Sequence, residues 1–153
     1  MSDSIVTIDK DKFVVINWEE AMSQVSDDVE FLQEVLTDLI DEAVTAQNEL
    51  KIHIEGKHFE NVMKAAHRVK GSASYLCVDR MREISLHMQL YGHAGKDYEL
   101  DPNSLSKHAA NLKVLPNNTE HIWMILSSLF GEFQLSVDDL KLSISQRFPE
   151  QTE

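Results

Sequence analysis

Phe59-Glu60-Asn61-Val62-Met63-Lys64-Ala65-Ala66-His67-Arg68-Val69-Lys70-Gly71-Ser72-Ala73-Ser74 sets apolar side chains at 59, 62, 63, 66 and 69. That three-and-four spacing turns them to one side of a helix. Lys64, His67, Arg68 and Lys70 then fall on or near the outer face, with His67 bordering the apolar stripe. Lys70 and Gly71 lie three and four residues on from His67, so both flank it one turn later. A helical side chain leans toward the N-terminus, so any residue at position 71 would partly cover the imidazole at 67. Glycine covers nothing, yet inside a helix it costs about 1 kcal/mol relative to alanine. The pattern predicts close approach of a bulky partner to His67. Lys70 supplies a cation for an anion carried on the ring, and Lys64 and Arg68 add positive charge. Taken singly, a helical histidine is most often solvated or core, and Gly71 could be a helix cap; the combination is what points to phosphoryl chemistry.

The same period extends outward along the chain. Asn17 is a candidate N-cap for a short helix from Trp18 to about Gln24, with Glu19 and Glu20 in its first turn. Ser26 or Asp27 caps a second, in which Val29, Leu32, Val35, Leu36, Leu39, Ile40, Ala43, Val44, Leu50 and Ile54 keep helical spacing up to Gly56. The third starts near Lys57. A fourth, from about Asp79 to Tyr91, offers Met81, Ile84, Met88 and Leu90. Gly92, Gly95, Pro102, Pro116 and Asn117-Asn118 punctuate the stretch 92–118, where Asn103 to Leu115 could form a short helix. A last helix is predicted from about Thr119 to Phe148, with Ile122, Ile125, Leu126, Leu129, Phe133, Leu140 and Ile144 on one face. Amphipathic stripes of this kind bury against one another, which predicts an all-α fold, a four-helix bundle with one or two accessory helices.

A chain of 153 residues is expected to form one domain, 1–153, with a single core. Its net charge of −12 argues against nucleic acid as a partner, because such binding needs clustered Lys and Arg. Cys77 is the only cysteine, so no intramolecular disulfide forms, and its apolar setting Tyr75-Leu76-Cys77-Val78 reads as core. Residues 1–11 lack the basic-then-apolar order of a secretory signal, and no stretch approaches the roughly 20 apolar residues of a membrane span. The expectation is a soluble protein of the cytoplasm, or of cytoplasm and nucleus.

His67, Lys70, Gly71, Ser72 and Ser74 together resemble the H-x-x-K-G-S-S signature of histidine-containing phosphotransfer (HPt) domains. The resemblance is to eukaryotic, particularly fungal, phosphorelay proteins. It takes in Ile16-Asn17-Trp18, the amphipathic run Phe31 to Leu50, and Gln89, and covers most of residues 13 to 91. The family usually has glycine where this chain has Cys77, and a small residue where it has Val78.

The resemblance implies that His67 is phosphorylated, at Nε2, by the aspartyl phosphate of a receiver domain. Lys70 would offset phosphoryl charge, Gln89 would orient the ring or bind a phosphoryl oxygen, and Gly71, Lys64, Arg68 and Ser72 would support the site. Partners would be the receiver domains of hybrid histidine kinases and of response regulators, bound by a monomer. No cofactor or metal is expected in the chain itself, Mg²⁺ belonging to the partner receiver. An imidazole with a reference pKa of about 6.5 offers a large neutral, nucleophilic fraction at neutral pH.

Enzymatic rivals fail on inventory. Glycines at 56, 71, 92, 95 and 131 are too dispersed for a loop that cradles ATP phosphates, so the chain is expected to carry phosphate without kinase activity of its own. The seven histidines include no pair at i+3 or i+4 that one helix could offer a metal. An acidic helical adaptor that binds receiver domains without phosphotransfer is the alternative; the presence of His67 with Lys70 and Gly71 speaks against it.

Overall fold

The computed structural model describes residues 5–149. Five α-helices follow one another: α1 Trp18–Gln24, α2 Val29–Glu55, α3 Phe59–Tyr75, α4 Asp79–Leu100 and α5 Thr119–Arg147, with a 3-10 helix Pro102–His108 between the last two. Among the described residues there is no strand. Helices α2 to α5 form the bundle: α3 packs on α2 and α4, and α5 closes the ring against α2 and α4. Leu32, Leu36, Leu39, Leu50, Phe59, Val62, Met81, Ile84, Met88, Ile125, Leu129 and Phe133 fill its core. Among the described residues no helix is long and apolar enough to cross a membrane.

Each link between the first four helices ends the preceding helix in a Schellman motif, with the pivotal left-handed residue supplied by something other than glycine. After α2, Lys57 N–H donates to Ile54 O and His58 N–H to His53 O, with Lys57 at φ 56°. After α3, Cys77 N–H donates to Ser74 O and Val78 N–H to Ala73 O, with Cys77 at φ 58°. At 77, where the resemblance implies glycine, a cysteine keeps the turn, its thiol buried. After α1, Ser26 takes φ 54° and Asp27 φ 62°. Neither caps α2. Asp28 does, its carboxylate accepting from Phe31 N–H at 3.1 Å, because a capping residue needs extended backbone that 26 and 27 have given up to the turn. Val29, in the first turn of α2, is exposed, outside the buried stripe.

Helix α4 runs nine residues beyond the Tyr91 limit predicted from glycine punctuation. Gly92 and Gly95 are inside it, buried, and serve the α3–α4 contact. A Cβ at 92 would stand 2.8 Å from the backbone nitrogen of Met63 and 2.9 Å from Phe59 O; one at 95 would enter the Phe59 ring at 2.5 Å. Tertiary packing has overridden local propensity. The segment 101–118 then folds back on α4. The Tyr91 hydroxyl donates to Val114 O at 2.6 Å and accepts from Val114 N–H at 2.9 Å, while His108 Nε2 meets Asp97 at 2.9 Å. The short helix expected from Asn103 to Leu115 is instead the 3-10 turn Pro102–His108.

Arg80 fastens the chain ahead of α1. Its guanidinium donates to Phe13 O at 2.9 Å and Lys10 O at 3.0 Å and reaches Asp139 on α5 at 3.4 Å, and Val6, Ile8 and Ile16 are buried along this segment.

Candidate functional site

On α3, Val62, Ala66, Val69 and Ala73 are buried and His67 is exposed on the opposite edge of the stripe. His67 shares a shallow open depression of about 420 Å³ with Met63, Lys64 and Arg68 of its own helix and Gln89 of α4. Gln89 lies three residues before Gly92 on α4, and His67 four residues beyond Met63, whose backbone Gly92 approaches. The Gln89 Oε1 position is buried and has no hydrogen-bond partner. A half-turn of the amide exchanges oxygen and nitrogen there, so the unsatisfied position can present an acceptor to an imidazole N–H or a donor to an anion.

Gly71 lies inside α3, which continues to Tyr75, so it is no cap. A Cβ at 71 would meet nothing within 4 Å. Nothing in this fold requires a glycine there, which leaves the approach of an outside group as its physical rationale. Gly71 borders a second depression, about 370 Å³, between α2 and α3, with Val35, Asp38, Leu39, Glu42, Ser72, Tyr75 and Leu76. Tyr75 is half exposed, its hydroxyl donating to Gln24 O of α1 at 3.4 Å.

The basic residues differ in how they are engaged. Arg68 turns to α2 and donates to Glu49 at 2.8 Å. Lys64 stands 3.5 Å from Glu60 one turn back. Lys70, half-buried one turn beyond His67, has no ion-pair partner among the described residues. Ser72 bonds neither His67 nor its own helix; its hydroxyl donates to Glu42 on α2 at 2.8 Å, so it joins two helices. Ser74 bonds its own helix, donating to Lys70 O at 2.7 Å. His67, Lys64, Arg68 and Gln89 are thus brought together, with Lys70 and Gly71 at the margin and Ser72 turned aside. Met63 was not foreseen at the site, because at sequence level it belongs to the apolar stripe. Glu42, Glu49 and Glu60, which engage the polar residues, carried no local signal apart from the Glu60–Lys64 spacing of four. Among the described residues no three His, Cys, Asp or Glu side chains converge on a metal position.

An exposed histidine thus stands on a four-helix bundle with a lysine and an unobstructed glycine one turn further on. The sequence pattern of the Hpt domain matches residues 34–122, more than half of the chain. The protein belongs to the Hpt domain family. Hpt domains are phosphotransfer intermediates of two-component signalling, carriers and not kinases, and they interact with receiver domains in phosphorelays. The matched residues take in α3 and α4 with His67, Lys70, Gly71 and Gln89, and stop within the first turn of α5. Neither the curated proteins nor the solved structures compared with the chain include a significant match.

Proposed function

We propose that this Hpt protein is a phosphorelay intermediate of the eukaryotic, fungal type, a single domain over 1–153 acting as a monomer in the cytoplasm, or in cytoplasm and nucleus. His67 takes a phosphoryl group from the receiver aspartate of a hybrid histidine kinase and passes it to the receiver aspartate of a response regulator. The observation that supports this reading most is the exposed imidazole beside Gly71, where a Cβ would stand in open space.

In the forward step the neutral Nε2 lone pair attacks phosphorus in line with the aspartyl oxygen. The N–P bond forms, the P–O bond breaks and the carboxylate leaves; the proton on Nδ1 remains on the ring or passes to solvent. Such transfer is mostly positioning and electrostatics. Lys70, one turn beyond His67 on α3, neutralises the phosphoryl oxygens, and the unsatisfied Gln89 amide holds the ring or an oxygen. Mg²⁺ enters with the partner's acidic pocket; the Hpt chain holds no cofactor of its own. The surface offered to the receiver is the Gly71 depression with Val35 and Tyr75, continued by α1 through the Tyr75–Gln24 contact.

Mixing the chain with a receiver domain carrying labelled aspartyl phosphate tests this. The label should move from receiver to Hpt chain, and should stay on the receiver when His67→Gln is used. Equal transfer to the variant would refute the assignment.

A further inference from the structure

Glu60 lies two turns before His67 on the same line of α3, with Lys64 between them. Its carboxylate is 3.5 Å from Lys64 Nζ and 3.2 Å from Lys96 Nζ, which reaches across from α4. The Lys96 contact first, then the Lys64 charge, hold Glu60 below the usual carboxylate range, so it is an anion at neutral pH. An anion on the stripe that receives a phosphoryl group works against that group unless it stays neutralised.

Lys64 has two places to go. It lines the depression that holds His67, and its separation from Glu60 exceeds hydrogen-bond length in an exposed pair of a kind that contributes little. A phosphoryl group on His67 would place close to two negative charges within one turn of it, against one on Glu60. Lys96 approaches Glu60 more closely than Lys64 does and remains when Lys64 departs.

We propose that Lys64 is an exchangeable second cation for the phosphoryl group, held by Glu60 while His67 is free and released to the phosphohistidine, with Lys96 keeping Glu60 neutralised. Lys64 touches the phosphoryl group; Glu60 and Lys96 are positioning residues. The exchange is of ion pairs only, and no bond forms or breaks. It rests on His67 being the phosphorylated residue.

The full chain, phosphorylated with the small donor phosphoramidate in place of a receiver, is titrated by ³¹P NMR. Unit charges at the separation of helix neighbours, in a largely aqueous dielectric, shift the phosphoryl ionisation by about half a pH unit, roughly threefold in its constant. Lys64→Ala should raise that ionisation by this amount and Lys64→Arg should restore it. Glu60→Gln should lower it, and Lys96→Ala should raise it by less than Lys64→Ala does. Coincident titrations of wild type and Lys64→Ala, with a phosphohistidine signal in both, would overturn the exchange. A shift in Lys64→Ala with none in Glu60→Gln and Lys96→Ala would overturn the roles of Glu60 and Lys96. A phosphohistidine signal undiminished in His67→Gln would refute His67 itself, and the exchange with it.

Discussion

Gly71→Ala should stabilise the protein while Gly92→Ala destabilises it, although both replace a glycine inside a helix. The intrinsic gain is the same, about 0.5–1 kcal/mol from the lower backbone entropy of alanine in the unfolded chain and its better helix propensity. At position 71 the new Cβ meets nothing within 4 Å, so the gain is realised in full. It should appear as a rise of about 2–4 °C in Tm for each kcal/mol in a chain of this size. At position 92 the Cβ would lie 2.8 Å and 2.9 Å from backbone atoms of α3, which cannot swing aside as a side chain can. Helices α3 and α4 must part, and overpacking of this kind costs about 1–3 kcal/mol, more than the propensity gain. Urea unfolding followed by circular dichroism measures both, and equal m values would show that the midpoints report stability alone. Gly71→Gln should leave the fold intact and slow phosphotransfer, because its side chain leans over His67. A Gly71→Ala protein less stable than wild type, or normal transfer by Gly71→Gln, would refute the argument that glycine is there to clear the site. A Gly92→Ala protein as stable as Gly71→Ala would refute the close approach of α3 and α4.

Four further outcomes are expected. Lys70→Ala should slow transfer or shorten the life of the phosphohistidine, measured with a labelled receiver, and no change in either would make this cation incidental. Ser26→Gly should raise stability by about 0.5–1 kcal/mol, since relief of the left-handed backbone outweighs the entropy of glycine; Cys77→Gly should gain less in the same urea titration, because it also removes a buried thiol. Burial holds the His87 imidazole below its ordinary pKa despite its contact with Glu83. Above about pH 6.5 the ring is neutral in folded and unfolded chains and stability is complete; as pH falls below that value the unfolded chain binds the proton first and stability declines toward the folded pKa. His87→Gln should flatten the urea midpoint between pH 7 and 5, and an unchanged slope would count against this source of acid sensitivity.

The bundle was legible because burial follows helical period: Val62, Ala66 and Val69 on α3 and Ile122, Ile125, Leu126 and Leu129 on α5 are all buried. The end of α4 was not, since Gly92 and Gly95 look like breakers until the Phe59 ring and the Met63 backbone are seen to need their space. The α2 cap was missed for a related reason: Ser26 and Asp27 have capping side chains but left-handed backbone, and only tertiary closure of the α1–α2 turn decides that. At the site, spacing along one helix put His67, Lys70 and Gly71 together. It could not show that Ser72 is held by Glu42 or Arg68 by Glu49, contacts between residues 30 and 19 apart. Gln89 came from family resemblance; its buried amide atom has no partner, but Ser85 and His87 on the same helix share that feature, so burial alone does not single it out.

The most direct measurement is the location of the phosphoryl group after exposure to a phosphorylated receiver, by acid and base stability and by mapping of the labelled peptide. An acid-labile, base-stable group on His67, absent from His67→Gln, is the predicted result. A group found on another residue, or undiminished labelling of His67→Gln, would contradict it.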